Sequence, residues 1–185
     1  SMNRGGLQGA VFEMDDRNTG YDVRGTIDAG FEGAKMLLRI DLDDPGTVAT
    51  LEQCGQAVTE LNRAELVAMV EPFISSRFSG KIVNDLSADA VIKSVHIAQG
   101  LGASSAYTWM KLPVVHEMER VMDATTLPTL LLGGDPDSAP DETYAAWQAA
   151  LALPSVRGLV VGRTMLYPAD DDVAKAVDTA VSLVR

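Results

Sequence analysis

The sequence predicts an α/β fold built on a parallel sheet, and three observations carry that expectation. Short, nearly unbroken apolar runs alternate with longer stretches of helical periodicity. The runs begin 22 to 39 residues apart, and polar residues collect at their C-terminal ends. Strands covered on both faces read as continuous apolar runs, and alternating βα units join parallel strands through right-handed crossovers.

Taken in order, residues 1–33 are rich in Gly, Asp and Asn, with Val11-Phe12 and Phe31 as apolar anchors. They are expected to form a loop-rich N-terminal segment with one weak helix over 23–29. The chain opens on Ser1-Met2-Asn3-Arg4-Gly5-Gly6 with no strand or helix before it. That is expected of a cloning remnant ahead of a start methionine, or of a piece of a longer polypeptide.

From Ala34 the texture changes, and 34–185 is read as one run of βα units. The first strand, 34–41, is broken by Asp43-Asp44-Pro45-Gly46, and a helix over 47–63 places Val48, Leu51, Val58 and Leu61 at helical spacing. The second strand, 66–73, is apolar up to Glu71 and is expected to stop at Pro72, with a polar connection over 74–86 carrying Arg77 and Lys81. Ser87 is a good N-cap for a helix to Gln99 that Gly100 and Gly102 end.

The third strand, 105–112, closes on Lys111, and Pro113 is expected to open a helix to Ala124. Strand 127–132 ends in Gly133-Gly134-Asp135-Pro136. A helix capped by Asp141 or Thr143 follows, with Trp147 and Leu151 on its buried face. Strand 156–161 ends in Gly162-Arg163. In the last helix, 172–184, Val173, Val177, Ala180, Val181 and Val184 share one side, and Asp170-Asp171-Asp172 forms a solvated N-terminus. Five strands and five helices in this order suit a doubly wound sheet or a (β/α)8 barrel. No G-x-G-x-x-G follows the first strand, which leaves a dinucleotide site without support.

The bulk properties narrow the function. A net charge of −11 offers no basic face to neutralise phosphates, so nucleic acid is not an expected partner. Small anions remain candidates, because a few local cations outweigh the global field. The single cysteine, Cys54, rules out an internal disulfide and suits a reducing compartment, and it is expected to be a small core residue. With no apolar run of about eighteen residues and no signal-peptide pattern, no membrane is expected and the cytoplasm is the expected location. His96 and His116 have no partner at ligand spacing and are expected at the surface rather than on a metal.

The chemistry-bearing residues sit at the C-terminal ends of the strands: Arg39 and Asp41, Glu71, Lys111, Gly133-Gly134 and Gly162-Arg163. Parallel α/β folds place their active sites at that edge. A lysine ending an aromatic and apolar strand is costly to bury as a cation, which favours the neutral amine and makes it a nucleophile towards carbonyls. The same residue is also readable as a strand-end lysine reaching solvent. Lys35 lies near the start of its strand, on the face shared with Leu37 and Arg39, and a charge there calls for a carboxylate, for which Glu71 is the candidate. That pair is equally readable as a purely structural ion pair. Glycine-rich ends on two successive strands let backbone N–H groups approach an anion such as phosphate.

This order of motifs, Lys35 in Lys-Met-Leu-Leu-Arg, Glu71 in Met-Val-Glu-Pro-Phe, Lys111 in Tyr-Thr-Trp-Met-Lys, then Leu-Leu-Leu-Gly-Gly-Asp and Val-Val-Gly-Arg, resembles the class I (Schiff-base) aldolases of the (β/α)8 superfamily. That group includes deoxyribose-phosphate, tagatose-bisphosphate and archaeal-type fructose-bisphosphate aldolases. Its imine-forming lysine ends strand six, and phosphate binds at the ends of strands seven and eight. The resemblance implies Lys111 as the Schiff-base residue, Glu71 and Lys35 as its catalytic partners, and Gly133, Gly134, Gly162, Arg163 and Arg39 as substrate and phosphate contacts. A strand-four lysine with a strand-five glutamate is similar to the tagatose-bisphosphate type and to the aldolase-like domain fused to some inositol-catabolic kinases. Deoxyribose-phosphate aldolases carry a second lysine on strand seven, and 127–132 has none.

The resemblance implies a TIM barrel present as its C-terminal part, strands four to eight, with 1–33 following strand three. It implies a lyase acting on a phosphorylated sugar or sugar acid without metal or cofactor. The chain is expected to be a homo-oligomer or to be completed by a missing N-terminal part, since an open barrel exposes two apolar edges. The alternatives are a sugar-phosphate-binding barrel fragment or subunit without turnover, and another phosphate-binding barrel enzyme such as an isomerase.

Overall fold

The structure, a computed structural model, describes residues 1–3, 14–133, 140–168 and 170–184. Five parallel strands form the sheet: β1 (Gly33–Ile40), β2 (Val67–Phe78), β4 (Thr108–Leu112), β5 (Thr129–Leu132) and β6 (Val156–Val160), with β3 (Lys81–Asn84) attached to β2. The order β1-β2-β4-β5-β6 follows the chain without reversal. A doubly wound sheet reverses its order at a switch point, so this topology sets that alternative aside and leaves the barrel-type progression. Among the described residues β1 and β6 do not pair, and the sheet is open.

Alternation along the strands separates two faces. Met36, Leu38 and Ile40 of β1, Ala68 and Val70 of β2, Met110 and Leu112 of β4 and Leu131 of β5 are all fully buried. They pack in one core with Cys54, Val58 and Leu61 of α2 (Gly46–Arg63) and Val91 and Val95 of α3 (Ala88–Ala98). A smaller core joins Trp147 of α5 (Pro140–Leu151), Met165 of α6 (Arg163–Leu166) and Ala176 and Ala180 of α7 (Val173–Val184). The Cys54 thiol is buried and pushed up to about 12 by desolvation, as suits an inert core residue.

The described residues of the N-terminal segment, 1–3 and 14–32, pack against this frame. Met2 N–H donates to Lys35 O, Asn3 bridges to Asn18, and Asp16 N–H donates to Thr50 Oγ1. The expected helix is present as α1 (Val23–Asp28), with Asp22 accepting from Gly25 N–H. These contacts rotate the buried stripe of α2: Thr47 and Thr50 are buried, while Val48, expected inside, is exposed.

Four further expectations change. Pro72 does not end its strand. β2 runs on to Phe78, because its ladder with β4 stops at Val70 and leaves an edge beyond, where proline is tolerated. The polar connection over 74–86 is a hairpin: Ser79 and Gly80, both at positive φ, turn β2 into antiparallel β3. Pro113 opens no helix; α4 is Met118–Met122, preceded by Glu117 in the left-handed region, and Val114 and Val115 pack on the cores as loop residues. Of the side expected to run through Val173, Val177, Ala180, Val181 and Val184 of α7, only Ala180 faces inward, together with Ala176, and the valines are exposed.

No helix among the described residues is long and apolar enough to cross a membrane.

Candidate active site

The residues of interest stand on the sheet face away from the main core. The ladder pairs Lys35 with Met69 and Leu37 with Glu71 between β1 and β2, and Met69 with Trp109 and Val70 with Met110 between β2 and β4. One step beyond the last pair, Glu71 and Lys111 come side by side. Paired residues of neighbouring strands share a face, so Lys35, Leu37, Arg39, Glu71, Trp109 and Lys111 project to the same side.

The geometry joins three of them. Lys35 Nζ lies 2.6 Å from Glu71 Oε2, and Lys111 Nζ lies 2.9 Å from Glu71 Oε1. One carboxylate is therefore held by two ammonium groups, one on each oxygen. All three side chains are mostly withdrawn from water, at 25%, 10% and 13% exposure for Lys35, Glu71 and Lys111. Burial alone pushes the Glu71 carboxyl up. The charges of Lys35 and Lys111 and the hydrogen bonds they donate outweigh it and hold the carboxyl below the ordinary carboxylate range. Lys111 is thus not an isolated buried cation; its proton points at a base in contact.

Beneath this layer, towards the N-terminal ends of the strands, a cavity of about 610 Å³ opens on the same face, lined by Lys35, Met69, Trp109 and Leu130 with Tyr21 and Phe31. Glu71 and Lys111 stand above it, at the C-terminal edge.

At that edge β5 and β6 are tied together. Thr164 Oγ1 donates to Gly133 O at 2.9 Å, and a Cβ on Gly133 would lie 3.2 Å from Val161 Cγ1, so glycine allows this close approach without Val161 having to give by a few tenths of an ångström. Gly162 is exposed, with nothing within 4 Å of where a Cβ would be, and Arg163 opens α6 as an exposed residue. Gly134 lies outside the described residues. Arg39 is partly buried on the inner face and has no hydrogen bond or ion pair among the described residues. The sequence reading overlooked two polar residues. Thr164 stood in plain view beside Gly162-Arg163. Asn3, whose side-chain amide accepts from Leu37 N–H and donates to Leu37 O, gave no local signal because its partner is 34 residues away.

His116 is fully exposed at the edge and His96 is exposed on α3. Among the described residues no cluster of three His, Cys, Asp or Glu is placed to hold a metal ion.

This arrangement meets known proteins at two levels. The chain is similar over 99% of its length to the crystal structure of Cgl0159 from Corynebacterium glutamicum, at 63% identity and a TM-score of 0.95. It spans 61% of that protein's chain. At lower identity it shares its fold with a Schiff-base-forming fructose-1,6-bisphosphate aldolase, at 19% identity, 92% of this chain, 64% of the other and a TM-score of 0.73. An archaeal fructose 1,6-bisphosphate aldolase gives 16% identity, 90% and 63% coverage and a TM-score of 0.71. No curated protein matches. The family model described as Cgl0159-like matches residues 1–181, and the chain accordingly belongs to the Cgl0159-like family.

Proposed function

We propose that the protein is a class I aldolase that makes or breaks a carbon–carbon bond in a phosphorylated sugar or sugar acid through an imine on Lys111. The observation that carries this reading is the Glu71 carboxylate in contact with both Lys111 and Lys35 at the C-terminal edge of a parallel sheet. The shared fold with Schiff-base aldolases supports it.

The reaction follows from the geometry. Lys111 passes a proton to Glu71, and its free amine attacks the substrate ketone to give a carbinolamine. Glu71 returns that proton to the carbinolamine hydroxyl, and loss of water leaves an iminium and a free Glu71 carboxylate; the iminium then takes up the electron pair of the breaking carbon–carbon bond and becomes an enamine. The substrate hydroxyl proton goes to Glu71, and an aldehyde departs. Protonation of the enamine and hydrolysis of the resulting imine release the second product and restore Lys111. Lys35 keeps the carboxylate charged and in place. Gly133, Gly134, Gly162 and Arg163 hold the phosphate, which converts remote binding energy into positioning.

The five βα units correspond in this reading to strands four to eight of a TIM barrel, and 1–33 to the connection after strand three. Three observations support completion by further polypeptide or by a second copy: Met2 hydrogen-bonds along the outer edge of β1, the valine side of α7 is open, and the C. glutamicum relative is longer. The open sheet also favours one second reading, a subunit that binds sugar phosphate without turnover. The cytoplasm is the proposed setting.

Borohydride reduction separates the two readings. With a panel of phosphorylated ketoses, intact-mass analysis is expected to show one reduced adduct per chain. Binding without any adduct would replace the aldolase with the binding subunit.

A further inference from the structure

We infer that the β2–β3 hairpin is a docking edge for a second copy of this chain. Two β3 strands pair antiparallel about a two-fold axis at Val83, and Lys81 of each copy faces Asp85 of the other. This contact does not depend on an imine at Lys111.

β2 outruns the sheet. Its ladder with β4 ends at Val70 and its ladder with β1 at Ile74, and residues 75–78 then pair with β3 alone. Asp85 N–H donates to Ile74 O, which sets the alternation along β3. Lys81 and Val83 turn their N–H and C=O groups to β2, and Ile82 and Asn84 turn theirs to the outer edge. Those groups of Ile82 and Asn84 have no partner among the described residues. An unpaired strand edge is a template for another strand.

The exposed apolar residues of the molecule differ in what borders them. Tyr21 and Phe31 rim the cavity on the inner face, and Val184 of α7 adjoins Gly158 of β6, the last strand. Phe78 and Val83 rise instead from β2, which has both β1 and β4 beside it. Strands that completed a barrel would join the sheet at β1 and β6, not at this hairpin.

The charge pattern selects the occupant. Lys81, Val83 and Asp85 are exposed and alternate with the partly buried Ile82 and Asn84, so they share the outward face. The row reads cation, valine, anion, and it is complementary to itself when reversed. With Val83 of two copies opposed, Lys81 of each lies opposite Asp85 of the other, and Ile82 lies opposite Asn84. The same register suits the backbone. Each of the two Ile82–Asn84 pairs exchanges two hydrogen bonds through the free groups, and the charged pairs fall at the closely spaced, non-hydrogen-bonded positions. Lys81 has no ion pair among the described residues, whereas Arg77, on the hairpin's other face, is held by Asp44. Ser87 N–H donates to one oxygen of Asp85 and orients its carboxylate. Phe78 pairs in register with Lys81 on the outward face and adds apolar surface beside the contact. Copies of net charge −11 repel one another, and a cation from each at the contact offsets that repulsion.

Five paired residues a side make a small interface, so weak, concentration-dependent association is expected. Sedimentation velocity follows the whole polypeptide as its gene encodes it, over a series reaching about 0.5 mM. Lys81→Glu and Asp85→Lys each set like charges opposite one another twice, and each is expected to weaken self-association about tenfold or more. In an equimolar mixture of the two variants every charge again faces its opposite, and association is expected to return to within about threefold of the native strength. Melting curves show that each variant is folded. A native chain that does not self-associate overturns the inference and leaves the edge to a partner of another kind. Association of equal strength in the native and singly substituted chains overturns it too, by placing the contact elsewhere. So does a mixture that associates no better than its components. Borohydride trapping on the same samples bears on the imine alone.

Discussion

The two faces of the parallel sheet are built from the same strands, one residue apart, and they do opposite work. On one face Met36, Leu38, Val70, Met110 and Leu131 are sealed under α2 and α3. On the other, Lys35, Glu71 and Lys111, mostly withdrawn from water, balance charge against charge, with Arg39 partly buried on the same face. Apolar burial on the first face stabilises the frame by about 1.5–3 kcal/mol for each large side chain. The second face returns part of that, because charges are taken out of water there. A site of this kind is affordable only because every second residue of the same strand is anchored. The difference predicts that substitutions one residue apart separate cleanly into losses of activity and losses of stability.

The largest effect is expected at Lys111. Lys111→Ala should lower the aldol cleavage rate by about 10³-fold or more, as loss of a covalent nucleophile does, while the urea midpoint moves little. Its neighbour on the opposite face, Met110, is fully buried, and so is Leu38. Leu38→Ala should cost about 2–5 kcal/mol in urea unfolding, with the trapped adduct per folded molecule unchanged. A Leu38 variant that lost imine formation while still folded would break the division between the faces.

Glu71→Gln crosses the division and sharpens it. It removes the shared counter-charge of two lysines, and a loss of about 1–3 kcal/mol is expected together with a loss of turnover. The pH dependence has a definite sign. The Glu71 carboxyl sits lower in the folded chain than in the unfolded one. Its contribution is therefore complete above the unfolded pKa of about 4.3 and is lost as pH falls through the lower folded value. Stability of Glu71→Gln, followed by urea titration across the acid limb, should fall less steeply below about pH 4 than that of the native chain. The smallest effect is expected on the hairpin. Arg77→Gln removes the surface pair with Asp44 and should cost about 0.2–1 kcal/mol, with no change in trapping.

How far all this was legible in the sequence differs between the faces as well. The sealed face was readable because continuous apolar runs are a local signal: the five parallel strands begin within three residues of the starts read at Ala34, Leu66, Ser105, Leu127 and Val156. Ser87 caps α3 as its side chain predicts. The hairpin was obscured by Pro72, which stops a strand only where both sides are paired, and β2 has lost one partner by then. Ser79-Gly80 between Phe78 and Ile82 was the signal that should have been weighed more heavily. On α7 the side read from Val173, Val177, Ala180, Val181 and Val184 is split: Ala180, with Ala176, faces the small core and the valines stay open. Periodicity names the apolar side of a helix but not whether the described chain supplies anything to cover it. For the site, alternation placed Lys35 and Arg39 on one face. The engagement of both Glu71 oxygens, and the clasp of Asn3 on Leu37, depend on register between strands that no local pattern encodes.

The most direct test of the imine is to locate it. After borohydride reduction with a phosphorylated ketose, the chain is digested and the adduct-bearing peptide is sequenced by mass spectrometry. The modified residue is expected to be Lys111, with Lys35 unmodified although it contacts the same carboxylate. An adduct on Lys35, or on a lysine away from the inner face, would contradict the assignment of Lys111 as the nucleophile.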